Sequence, residues 1–227
     1  MGGRITFFEY KEGSGGIGGI DSFTKLMLHM DEDPFVDSSA SAHGVSEAGD
    51  VVRSAAQSKF GGYSAYYTGD DALIISNDTD FYFAGNDFTI DCWIYYTAFN
   101  NPSQWNTIAS QWSAGGAWIL DFDSTNSRLQ FAYNNSISIT GNTITMNTGE
   151  WYHIAVVNNS GTLTFYQNGV SAGGGAVGTI NTPTLPVRVG NSGDGNGTIG
   201  YIDEFRISNG VARWTSNFTP PTSAYTT

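Results

Sequence analysis

The sequence predicts an all-β chain built as a two-sheet antiparallel sandwich or jelly roll. Three observations carry this. Of 227 residues, 29 are glycine, 14% are aromatic and only 13% are charged, which is too apolar for disorder and too poor in charge for a helical bundle. Several stretches alternate apolar and polar residues with period two. No segment holds a helical period over three turns.

Residues 1–24 stand apart from the rest. Ile5, Phe7, Phe8 and Tyr10 form a short apolar piece ahead of Gly13–Ile20, whose glycines make a flexible arm and not a core strand. The arm is expected to anchor on a neighbouring subunit by strand addition or in an apolar groove. Folding along its own domain is the alternative. Residues 25–227 then read as one domain of strands and turns. The first candidates are Leu26–Met30, Ala65–Tyr67 and Ala72–Ser76. In Phe88–Tyr96, Phe88, Ile90, Cys92 and Ile94 share one face, expected as core, and Thr89, Asp91, Trp93 and Tyr95 share the other, expected as a mixed aromatic and polar surface. Trp105–Gln111, Ala117–Phe122, Arg128–Tyr133 and Ser136–Ile139 follow. Trp151–Val157 is apolar on both faces, as in a central strand covered on both sides. Thr162–Val170 contains Asn168-Gly169, a strong signal for a tight hairpin turn. Val187–Gly190 and Gly200–Ser208 complete the set.

Nine basic residues against 21 acidic ones give a net charge of −12. That charge opposes a phosphate-neutralising surface, so nucleic acid and anionic membrane are not expected partners. Acids gather near residues 31–37 and 70–91, reading as a solvated outer surface. A lone Cys92 can form neither an internal disulfide nor a zinc cluster. No apolar run reaches the roughly 18 to 20 residues of a membrane helix, and the first residues lack the apolar region of a signal peptide. The chain is therefore expected to be made in a cytoplasm and to carry no export signal.

As an ordered series, Lys25–Asp31 with Asp37–His43, Ser58–Gly62, Asp87–Ile94, Gly149–Val156, Leu163–Gly169, Val187–Gly190 and Gly200–Ile207 resembles a LamG-like jelly-roll domain of the concanavalin A-like lectin/glucanase superfamily. The resemblance implies two antiparallel sheets of six or seven strands, one of them concave. The segment Asp203–Pro221, with the elements at His29, Asp37 and Ser58, is similar to LamG-like domains of bacteriophage structural proteins. It implies a non-enzymatic virion protein, a capsid decoration or tail appendage, tied to other virion proteins by the arm and assembled as a homo-oligomer such as a trimer. A carbohydrate-binding adhesin for host attachment is the alternative function, and a glycoside hydrolase the third.

Catalysis is tested by the residues. Asp121 and Asp123 form an i, i+2 pair on one strand face, but the glucanase pattern Glu-x-Asp-x-x-Glu fails because residue 126 is Asn and both acids are Asp. Asp near Ser and Asn reads more readily as a turn residue. Sugar recognition would use exposed aromatic faces, for which Trp93, Tyr95, Trp105, Trp112 and Trp118 are candidates that alternation cannot sort into exposed and buried. The resemblance also implies one structural calcium ion where the first strand meets the last, with Asp203 as ligand and Asp31 as neighbour. The competing reading has Asp203 bonding backbone amides and Arg206 pairing with Glu204. His29, His43 and His153 are not spaced as a metal or catalytic set, and Cys92 is expected to be a small buried hydrophobe.

Overall fold

The computed structural model describes residues 19–100, 105–112 and 116–227. They form two antiparallel sheets and one short 3-10 turn, Thr79–Phe81. One sheet contains β1 (Thr24–Leu28), β3 (Val52–Ser54), β4 (Ser64–Thr68), β6 (Phe88–Ala98), β11 (Trp151–Asn159), β12 (Thr162–Gln167), β13 (Val170–Ala176) and β15 (Ile199–Asn209). Its order is β13-β12-β11-β6-β15-β4-β3, with β1 pairing the far half of β15 beyond β4. The other contains β2 (Val45–Ala48), β5 (Ala72–Ile75), β7 (Trp105–Gln111), β8 (Trp118–Asp123), β9 (Arg128–Tyr133), β10 (Ile137–Thr140) and β14 (Val187–Val189), in the order β10-β9-β8-β7-β14-β5-β2. The seven-stranded sheet lies within the expected six or seven strands, and the other exceeds it by one. The arm residues Ile5, Phe7, Phe8 and Tyr10 lie outside the described residues.

The core fills the space between the sheets. Phe88, Ile90, Cys92 and Ile94 of β6 all point into it, joined by Ile154 and Val156 of β11 and by Trp118, Leu120 and Phe122 of β8. Asn168 and Gly169 both have positive φ, 48° and 77°, and close the β12–β13 hairpin. Those are the signs a two-residue I′ turn requires.

The opposite face of β6 departs from expectation. Thr89, Asp91 and Trp93 are buried: the chain after β15 folds back over Thr89 and Asp91 on the outer face of the eight-stranded sheet, and Lys59 and Phe60 cover Trp93. Trp214 and Phe218 stack with centroids 4.1 Å apart and cover Ala155, Val157 and Tyr166. The same strap gives β11 its second apolar covering. Farther on, Tyr225 lies 3.8 Å from the Arg206 guanidinium, and Gly19 pairs with Thr226 in a parallel bridge.

A bulge in β15 shapes this face. Asp203 pairs with Trp93 and Arg206 with Asp91, so three steps on β15 match two on β6, and Glu204 takes a positive φ of 50°. Asp203 and Glu204 therefore both avoid the core, between the inward Ile202 and Phe205. Arg206 pairs with Asp91, not with Glu204 as the sequence allowed, and Glu204 instead meets His29 Nδ1 at 2.7 Å and accepts the Tyr225 amide. Among the described residues no helix is long and apolar enough to cross a membrane.

Candidate functional site

The structure separates the five aromatic candidates into three groups. Trp118 is fully buried in the inter-sheet core and stacks on Phe131, so it presents no face to a ligand. Trp93 and Tyr95 belong to the outer face of the eight-stranded sheet, where Trp93 is only 6% exposed. Trp105 and Trp112 come together on the outer face of the seven-stranded sheet and line one groove. Alternation alone could not make that division, because it reports which side of a strand a residue takes and not what covers that side.

The groove follows from pairing across β7, β8 and β9. Thr107, Asp121 and Gln130 stand opposite one another in one row, and Ser110, Ile119 and Ala132 form the next. A bulge between Thr107 and Ala109 sends both Ile108 and Ala109 into the core. Trp105 begins β7 and Trp112 follows its end, so the two indoles flank a floor of one carboxyl, one amide and small apolar groups. The cavity measures about 220 Å³. Loop 190–198 closes one side and carries Asp194. It is held by the Thr107 amide donating to the Asn196 carbonyl at 2.8 Å and by Asn191 Nδ2 donating to the Gly69 carbonyl at 2.7 Å.

The two strand carboxylates have different roles. Asp123 turns into the β8–β9 connection, accepting the amides of Thr125 and Asn126 and the Asn126 side chain, with Arg128 Nε at 3.4 Å. It is a turn residue, as its neighbours in sequence indicate. Asp121 lines the groove and accepts the Thr107 hydroxyl at 2.8 Å. Burial pushes its carboxyl up to about 7 against that bond, and Asp194 and Asp123 add to the rise. Near neutrality it can therefore either donate or accept at a sugar hydroxyl. Thr107, Gln130 and Asp194 were not singled out in the sequence. Asp194 sits in Asn191-Ser-Gly-Asp-Gly-Asn-Gly197, which reads only as a turn.

Asp203 and Asp31 grip the same turn from two sides. Asp203 Oδ2 accepts the amides of Lys59 and Phe60 at 2.7 and 3.1 Å, and Asp31 Oδ1 accepts that of Tyr63 at 3.2 Å. Asp203 Oδ1 is buried without a partner among the described residues. Burial pushes this carboxyl up to about 7 against the two amides, with Glu204 and Asp31 adding to the rise. An orphaned carboxylate oxygen beside a second carboxylate fits the oxygen chemistry of calcium. His29 meets Glu204, and the buried His153 Nε2 lies 3.6 Å from Asp91 Oδ2. His43 Nε2 lies 3.2 Å from Asp80 Oδ2 and forms with Asp78 and Asp80 a histidine–carboxylate group at the surface, where Ser41 and Lys25 also engage Asp80.

Residues 67–215 match the family model Laminin_G_3, described as the concanavalin A-like lectin/glucanases superfamily. Among solved structures, the chain is similar to domain 4 of AbnA, an extracellular GH43 arabinanase from Geobacillus stearothermophilus, in complex with arabinotriose. That likeness has 18% identity and a TM-score of 0.67, covering 83% of this chain and 93% of that one. The binding domain of Paraclostridial Mosquitocidal Protein 1 matches at 16% identity and TM-score 0.66, covering 84% of this chain and 50% of that one. A structure of botulinum neurotoxin type C, whose cell entry is described as dependent on two ganglioside molecules, matches at 19% identity and TM-score 0.63, covering 86% and 50%. The chain thus spans about half the length of these toxin chains. No curated protein matches its sequence. With the family model spanning well over half of the residues and the sandwich it implies observed, the chain belongs to the concanavalin A-like lectin/glucanase superfamily.

Proposed function

We propose that this protein is a non-enzymatic carbohydrate-binding module whose ligand lies in the groove of the seven-stranded sheet. The observation that carries the reading is the convergence of Trp105 and Trp112 with Asp121 and Gln130 in one groove. Flat indole faces stack on the C–H faces of sugar rings, and convergent polar groups orient the hydroxyls. The arabinotriose and ganglioside in the neighbours' descriptions support the same class of ligand. The Asp121–Asp123 pair is disfavoured as an acid–base pair because Asp123 is committed to its turn. On a glycan array, the full chain is expected to retain a defined set of oligosaccharides, and Trp112→Ala and Asp121→Asn each to weaken them by about tenfold. Binding unchanged in both variants, or hydrolysis of the retained glycan, would overturn the reading.

A second reading, display on a virion surface, is favoured by where the chain enters the domain. Gly19 and Ile20 are tied to Thr226 and to Arg206 on the eight-stranded sheet, opposite the sheet that carries the groove. A segment anchored to other virion proteins from that side leaves the groove facing outward, whether the particle carries this protein as a trimer or another homo-oligomer. Deleting residues 1–18 is expected to leave the melting temperature unchanged and abolish incorporation into particles. Normal incorporation of the deletion refutes it.

A structural calcium ion held through Asp203 Oδ1 and Asp31 is part of the proposal. It would neutralise the paired carboxylates and lock the turn at 58–63 against the bulge of β15. Calcium added to chelator-treated protein should raise the melting temperature by several degrees, and Asp203→Asn should abolish that rise. An unchanged melting temperature on adding calcium to the parent protein removes the ion from the proposal.

A further inference from the structure

A second cleft opens on the outer face of the other sheet. Lys59, Phe60, Trp93, Trp151, Asn168 and Pro220 are among its lining residues, and it encloses about 540 Å³. That lies in the range of small-ligand pockets. It shares no residue with the groove of Trp105 and Trp112.

The state of Lys59 is what marks this cleft. In a chain with net charge −12, nearly every described cation is engaged by oxygen. Lys25, Arg128, Arg206 and Arg213 face Asp80, Asp123, Asp91 and Asp21, while Arg53 and Arg188 donate to the carbonyls of Asp31 and Asn191. Lys59 is the exception among the described residues. Its ammonium lies 3.8 Å over the Trp93 ring and 5.7 Å from the Phe60 ring and donates to no oxygen atom. An ammonium has three donors, and a ring face satisfies none of them as an oxygen would.

The other walls narrow the ligand. Trp93 is closed off, with Lys59 over its face and Phe60 and His153 in edge contact. Trp151 is half-buried, carries the Tyr95 ring tilted against it at 5.5 Å, and lines the cleft. Asn168 receives the His153 amide through Oδ1 at 2.9 Å, leaving its two amide N–H groups without a partner among the described residues. The cleft thus combines one cation, one amide donor and one stacking surface. A phosphate or sulfate group calls for several donors, commonly a bidentate guanidinium, and the cleft has a single ammonium. A single carboxylate on a ring with an apolar face meets all three features.

The geometry points to a second ligand site, in which a sugar bearing a carboxylate stacks on Trp151 and places its carboxylate on Lys59. Its chemistry is the inverse of the first groove, where Asp121 and Asp194 present carboxyl groups to hydroxyl donors and would repel an acidic sugar.

The test is titration of the full chain with glucuronic acid, N-acetylneuraminic acid and glucose, followed by calorimetry and by the indole N–H resonances. Saturable binding of at least one acidic sugar and not of glucose is expected, with the Trp151 indole shifting. Lys59→Gln should weaken it by about tenfold, the loss expected for one charge-assisted hydrogen bond, while Lys59→Arg retains it. Raising salt should weaken it as well. Trp112→Ala should leave this binding intact, which separates it from the first groove. The proposal is overturned if no acidic sugar binds, if glucose binds equally, if Lys59→Gln binds as the parent does, or if Trp112→Ala abolishes binding.

Discussion

Replacing Arg206 with methionine is expected to destabilise the domain by about 3–5 kcal/mol, the range for removing one partner of a buried ion pair. Both side chains of the Arg206–Asp91 pair are fully buried, with Nε to Oδ1 at 3.0 Å and Nη2 to Oδ2 at 3.3 Å. Tyr225 donates its hydroxyl to the same carboxylate, and Arg206 Nη1 holds the Gly19 carbonyl at 3.1 Å. Methionine would fill much of the volume and leave the fully buried Asp91 carboxylate without its guanidinium partner. Urea unfolding measures the loss. The double variant Asp91→Leu with Arg206→Met should recover much of it, because a well-packed apolar pair removes the uncompensated charge. A loss under about 1 kcal/mol in the single variant would mean that the strap admits water to the pair.

The same pair sets the acid limit of the fold. Burial would raise the Asp91 carboxyl, but Arg206, followed by His153 and Tyr225, overrides it and holds the group down at about 2. A carboxyl depressed in the folded state contributes stability above its unfolded value near 4, and that contribution is lost as pH falls from about 4 towards 2. Acid unfolding of the parent should therefore steepen in that window. Asp91→Leu with Arg206→Met should remove that part of the slope.

Much of the sandwich was legible because its inner faces obey period two. Phe88, Ile90, Cys92 and Ile94 could be assigned to the core from alternation, and Asn168-Gly169 to a hairpin from the positive φ both residues accept. What stayed hidden depended on distant chain. Thr89, Asp91 and Trp93 alternate like a solvated face and are buried by distant chain, Thr89 and Asp91 under the segment that runs from Val211 to Tyr225 and Trp93 under Lys59 and Phe60. The exchange of partners between Glu204 and Arg206 needs the bulge at Glu204, which i, i+2 counting cannot include. Edge strands were missed for local reasons. Val45–Ala48 and Val52–Ser54 are short and half polar, and β13 runs through Gly173, Gly174 and Gly175, which carry no side chains to show a period. Gly174 is required there, since a Cβ would stand 2.0 Å from the Leu163 carbonyl oxygen. In the groove, Trp105 and Trp112 were visible as residue types. Their meeting with Asp194 was not, because a Gly-rich turn encodes its own bend and not its neighbour.

Trp118→Ala is expected to cost about 3–5 kcal/mol, while Trp112→Ala costs about 1 kcal/mol or less. Both are tryptophans at one end of the β7–β8 pair, yet Trp118 is fully buried between Phe83 and Phe131, with ring centroids 5.7 and 6.1 Å away. Its Nε1 donates to Gln111 Oε1 at 3.0 Å, and Gln111 in turn donates to Asn77 Oδ1 and the Leu185 carbonyl. Alanine would leave a large cavity and also orphan Gln111 at the end of that chain of bonds. Trp118→Phe separates the two effects, since it keeps most of the packing and removes the donor, leaving an expected loss of about 1–3 kcal/mol. Thermal and urea unfolding of the three variants should rank them Trp118→Ala, Trp118→Phe, Trp112→Ala, and glycan retention should follow the reverse logic. Trp112→Ala alone should lose ligand without losing the fold. A Trp112→Ala variant that unfolds as readily as Trp118→Ala would make Trp112 a packing residue and take away one wall of the proposed sugar site.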